Sequence, residues 1–152
     1  MVNLPSGSSI PGALVAAMSI AEGALPSEST IYYGSELGAY SAPLTFMISE
    51  ITGDQTVAEI GPSFRREETF SLICSLIAYN GGVPDFAGQL QLLMANFTLI
   101  ALAIGNNPTL NGSVRFAEVG NFQITPETDV NGQSATTLDF AIRCQQRVTS
   151  LT

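Results

Sequence analysis

The chain has 152 residues, fits a single domain spanning 1–152, and is 45% hydrophobic with a mean hydropathy of +0.28, so it can build a real core. Five arginines against thirteen acids give a net charge of −8, which argues against tight binding of DNA or RNA and against attraction to anionic membranes. Histidine and lysine are both absent, which removes Ser-His-Asp and Cys-His catalysis in their common forms, the Walker-type phosphate loop and Schiff-base chemistry.

The charged fraction is 12%, about half the usual share of a soluble domain. A weakly charged, apolar chain hides surface against partners, so assembly with other copies is expected.

Residues 1–9 read as a polar arm. Ser9 is placed to cap a first helix with Pro11 in its first turn, and Leu14, Met18, Ala21 and Leu25 mark the inner stripe. Gly23 and Pro26 end that helix. Ile31 to Tyr33 reads as a short strand. "LTFMISEI" alternates, with Leu44, Phe46 and Ile48 inward. "TGDQTVAEIGPS" reads as a turn or extended loop.

The stretch "FRREETFSLICSLIAY", Phe64 to Tyr79, is the expected central strand. Phe70, Leu72, Cys74 and Leu76 share one face by period-two alternation. The other face carries Thr69, Ser71, Ile73, Ser75, Ile77 and Tyr79. Ile73, Ile77 and Tyr79 are too apolar for an open polar face and form the candidate subunit interface. The charge run Arg65, Arg66, Glu67 and Glu68 joins it as an inter-subunit ion-pair edge, with a solvated strand end as the alternative.

Asp85 is placed to cap the next helix, from Phe86 to Ile104, which contains no charge. Its length suits a membrane span, but Gln89, Gln91, Asn96 and Thr98 and the lack of flanking cations favour a helix buried on more than one side. Gly105 should stop it, and "NNPTLNG" is a turn. A strand follows from Val114 to about Ile124, then a hairpin loop with an Asn131-Gly132 turn signal. In the last strand Leu138, Phe140, Ile142 and Cys144 face inward, and Thr137, Asp139, Ala141 and Arg143 outward. Residues 149–152 are a short tail. The order predicts an α+β fold: a mainly antiparallel sheet of about four strands with two helices packed on one face.

Cys74 and Cys144 read as small reduced core residues, with a disulfide between neighbouring strands as the alternative. The calcium-loop start at Asp129 and Asn131 fails, because Phe140 stands where the bidentate glutamate belongs. Glu67 and Glu68 point to opposite faces of a strand and make no acid–base pair. Asn96 and Asn111 sit in glycosylation acceptor triplets, which mean little without an export signal. The expectation is a non-enzyme with no cofactor and no metal.

Glu67-Glu68-Thr69-Phe70 opening a strand, a helix of about twenty residues, the turn Pro108-Thr109-Leu110-Asn111-Gly112-Ser113-Val114, Phe116, and an alternating strand from Leu138 to Cys144 form a pattern. It resembles the tail terminator family of long-tailed, siphovirus-like bacteriophages, and related neck proteins are similar. The resemblance covers 64–148. It implies a virion protein, assembled in the host cytoplasm, that forms a ring, usually a hexamer, at the head-proximal end of the tail. Such a ring caps the tube, stops its polymerisation and joins the head. Its partners would be further copies, the major tail tube protein and a head-side neck or connector protein, with no membrane. DNA would pass through the lumen without specific binding, and an acidic wall would let it slide. Alternatives are another neck component such as a stopper, a tube-forming relative, or, from a different class, a small ligand-binding α+β domain.

Overall fold

In the computed structural model the described residues are 9–27, 29–33, 44–59, 65–80, 85–128 and 134–149. The elements run α1 (Ile10–Ala24), β1 (Thr30–Tyr33), β2 (Leu44–Glu59), β3 (Arg65–Asn80), α2 (Phe86–Asn106), β4 (Phe116–Thr128) and β5 (Ser134–Thr149). They form one five-stranded sheet in the order β1-β2-β3-β5-β4, with both helices joined to a single apolar core on one face. The fold is α+β, as the element order predicts. The pairs β2–β3, β3–β5 and β4–β5 are antiparallel, and the short β1 adds a parallel edge beside β2.

β3 is the central strand because its alternation fills the core. Phe70, Leu72, Cys74 and Leu76 are all buried on the helix side, and Phe46, Leu138, Phe140 and Ile142 meet them from β2 and β5. The ring of Phe140 lies 6.3 Å from that of Phe46 and 5.1 Å from Phe97 on α2, and Phe97 lies 5.5 Å from Phe122 on β4. This run of offset rings ties the sheet to α2.

β2 is longer than its composition suggests. Thr52 to Glu59, expected as a turn or loop, is strand, laid against β3 from Ser71 back to Arg65. Pairing along the whole of β3 overrides the poor strand formers Gly53 and Asp54. A bulge between Ile48 and Glu50 shifts the register, so even positions face the core before it and odd positions after it.

Small residues dominate α1, and Ala13, Ala17, Met18, Ala21 and Leu25 enter the core. Gly23 lies inside the helix, which ends one residue later at Ala24. Asp85 caps α2, its carboxylate accepting from the Gly88 N–H at 3.0 Å. Gln89 fastens the start of α2 to β5: its Nε2 donates to Ser134 O at 3.1 Å and Ser134 Oγ at 3.0 Å, and the Thr136 hydroxyl donates to its Oε1 at 2.6 Å. All three residues are buried, so the amide is satisfied where water cannot reach it. α2 runs through Gly105 to Asn106.

The turn after α2 holds three successive left-handed residues, Leu110 (φ 46°), Asn111 (φ 60°) and Gly112 (φ 82°). Leu110 accepts this conformation because its side chain is wholly buried, and the Asn107 and Asn111 side chains clasp each other across the turn at 2.6 Å. The Asn131-Gly132 turn signal lies outside the described residues.

Candidate interaction surface

The sequence places Ile73, Ile77 and Tyr79 on the face of β3 away from the helices. Their register confirms that side: Ile73 stands opposite Ala141, Ile77 opposite Thr137 and Tyr79 opposite Ala135. Exposure differs from expectation. Ile77 is 3% exposed and Met47 and Thr45 beside it are also buried, so the chain itself covers this end of the outer face. Ile77 therefore has no surface to offer a neighbour. Ile73 and Tyr79 are half-buried. Ile73 lines a shallow cavity of about 280 Å³ with Phe122, Gln123 and Asp139 at the β4 bulge. The Ser75 hydroxyl donates to the Asp139 carboxylate there at 2.6 Å.

The charge run divides between the two faces. Glu68 points inward and is 1% exposed, with Ser9 donating to its carboxylate. Burial removes it from any inter-subunit ion pair. Glu67 points outward, accepts from Gln145 Nε2 at 2.8 Å, and has Arg115 Nη1 at 3.9 Å. The backbones of Arg65 and Arg66 open β3 opposite Thr149 and Val148, and their side chains lie outside the described part of the molecule.

Among the described residues, three exposed leucines share one side of α2. Gln89, Leu93, Asn96, Phe97, Ile100 and Ile104 form its buried side. On the far side Leu92, Leu99 and Leu102 are exposed, Leu102 by 59%, with exposed Ala95 completing a 3-4-3 spacing. No residue from Phe86 to Asn106 is charged. By length and composition α2 would suit a membrane span, but one side of it packs into the core. The sequence signal for this stripe is the apolar content on more than one side of the helix; the single-chain fold covers only one of them. The remaining exposed large apolar side chains among the described residues are Val15, Ile51, Phe86, Phe116 and Phe122.

Exposed acids stand on both sides of the sheet, with Glu22 on α1 and Asp85 at the start of α2 on the helix side. Exposed Glu50, Asp54 and Glu118 stand on the sheet side away from the helices, as does Arg143 opposite Glu118. Among the described residues no group of three His, Cys, Asp or Glu side chains is placed to hold a metal ion. Cys74 and Cys144 are free and buried. The register sets Cys74 opposite Phe140 and Cys144 opposite Phe70, four rungs apart or about 13 Å along the strands, beyond the reach of a disulfide. Burial pushes both thiols up, Cys144 to about 12. Asn96 is 4% exposed and inaccessible to a glycosyl donor, whereas Asn111 is exposed in its turn.

No protein-family model matches this chain, and no curated protein matches it at a significant level.

Proposed function

We propose that this chain is a ring-forming tail terminator of a long-tailed phage. In this reading it caps the tail tube, halts its growth and supplies the surface that joins the head, while DNA passes through the lumen. The observation that carries the reading is the open leucine stripe of α2. Leu92, Leu99 and Leu102 stand exposed on a helix with no charge to keep copies apart. Already partly buried, each would contribute roughly 0.5–2 kcal/mol if a neighbour covered the rest of it. A contact of this kind, repeated head to tail until it closes, makes a ring.

The resemblance over 64–148 supplies the kind of ring. Its turn motif has a physical basis in this chain: Leu110 plugs the core in a left-handed turn, Gly112 takes φ 82°, and Val114 is 3% exposed. The net charge of −8 per copy gives a ring that repels the phosphate backbone, which suits a conduit better than a binding site.

The test is assembly and length control. Native mass spectrometry and negative-stain imaging of the purified protein should find closed rings. Added to polymerising tail-tube protein, the rings should bind tube ends and stop elongation. A monomer at micromolar concentration that leaves tube length unchanged overturns the reading.

A further inference from the structure

We infer that the contact between copies is heterologous: the α2 leucine stripe of one copy seats in an apolar groove on α1 of the next. The inference rests on the assembly reading above and adds the receiving surface. The groove runs between α1 and the turn after α2 and has a volume of about 540 Å³. Pro11, Val15, Ala16, Ser19, Leu110 and Ser113 line it, and none of its lining side chains ionises. Val15 stands 61% exposed on its wall, while Leu110 is wholly buried. A large β-branched side chain left open beside a concave apolar surface calls for an apolar occupant.

Two observations select a second copy as that occupant. The first is charge. Every copy carries −8, so copies repel unless they meet where neither surface is charged. No ionisable side chain belongs to the α2 stripe or lines the groove, although exposed Glu22 stands one turn beyond Ser19 on α1, while exposed Glu50, Asp54 and Glu118 stand on the sheet face. A lipid surface does not fit the same patches, since anionic headgroups repel the chain and no lysine or arginine flanks α2. The second is that stripe and groove share no residue. Two surfaces with no residue in common let one copy offer both, as a head-to-tail chain of contacts requires. A two-fold pairing of α2 with α2 would bury the stripe in dimers and leave the groove open.

Paired variants separate these arrangements. Val15→Glu blocks the groove and Leu102→Glu blocks the stripe; both sites are exposed, so each variant should melt like the parent protein. Each alone should weaken self-association by at least about a hundredfold. Mixed together, the two should give a one-to-one dimer by native mass spectrometry, because the Val15→Glu copy still offers a stripe and the Leu102→Glu copy a groove. Ser19→Glu, exposed on the same groove wall, is a second groove variant with the same expected result. If Leu102→Glu blocks assembly while both groove variants assemble normally, the stripe seats elsewhere and the inference falls. Absence of the mixed dimer overturns it as well. Normal assembly of Leu102→Glu would instead remove the α2 basis of the proposed ring, so the two readings fail in different ways.

Discussion

Glu68 on β3 caps α1 from the other side of the core: its Oε1 accepts from the Ser9 N–H at 2.9 Å and from the Ser9 hydroxyl at 2.8 Å. α1 has no acid in its first turn and Ser9 makes no side-chain cap of its own. A carboxylate 59 residues away therefore satisfies an open donor and places negative charge at the positive end of the helix. Glu68→Ala should cost about 2–3 kcal/mol, read as a fall in the urea midpoint with early loss of amide protection in α1. Glu68→Gln keeps an acceptor and should lose less. An unchanged midpoint for the alanine variant would show that the carboxylate does not anchor the helix.

Leu102 and Ile77 should separate assembly from folding. Leu102 is 59% exposed, so Leu102→Asp should change the stability of the folded chain by less than about 0.5 kcal/mol and, under the ring-forming proposal, should leave only monomers. Ile77 is 3% exposed, so Ile77→Asp buries an unpaired carboxyl and should destabilise the fold by about 3 kcal/mol or more. Circular dichroism melts beside light-scattering mass would record both. A well-folded monomeric Ile77→Asp would return the interface to the outer face of β3.

Gly53 lies opposite Phe70 after the bulge in β2. A Cβ there would meet Phe70 Cβ at 2.6 Å and Thr69 O at 2.9 Å, and the oxygen belongs to backbone that cannot turn aside. Gly53→Ala should therefore cost about 1–3 kcal/mol by prising β2 from β3. Gly23→Ala is the control: nothing lies within 4 Å of its Cβ, and alanine favours the helix, so stability should hold or rise. Equal melting temperatures for the two variants would argue against the close approach.

The buried thiols make alkaline stability predictable in sign. Burial raises Cys144 from 9.0 to about 12, and Cys74 is raised as well, chiefly by burial. The folded state keeps both protons where the unfolded chain begins to lose them. Their contribution is thus full below about pH 9 and is lost as pH rises towards about 12. Urea midpoints taken at about pH 8 and about pH 10 should fall for the parent protein and fall less for a Cys144→Ala variant. Native thiols should also resist alkylation near neutral pH, and a non-reducing gel should show no internal disulfide. Rapid labelling of both cysteines in the folded protein would contradict their burial.

Much of this architecture is legible in the chain itself. Alternation alone assigns Phe70, Leu72, Cys74 and Leu76, and Leu138, Phe140, Ile142 and Cys144, to one side of the sheet, because a strand's side chains must alternate whatever surrounds it. Asp85 announces the start of α2, since a short acceptor before an uncharged helix can meet its free N–H groups. The lack of charge from Phe86 to Asn106 already says that α2 needs cover on more than one side.

Tertiary structure alone decides which side of α2 the chain itself covers. Ile77 lies on the outer face as its position requires, yet its own chain buries it, whereas Leu92, Leu99 and Leu102 on α2 are left exposed. Glu68 looks like one of four surface charges and is a buried cap, because its partner Ser9 is brought to it only when α1 docks. β1 pairs in parallel with β2, and Thr52 to Glu59 extends as strand only because β3 lies alongside. Sequence periodicity fixes the side on which a residue points; burial and pairing depend on segments far along the chain, whose arrival no local pattern records.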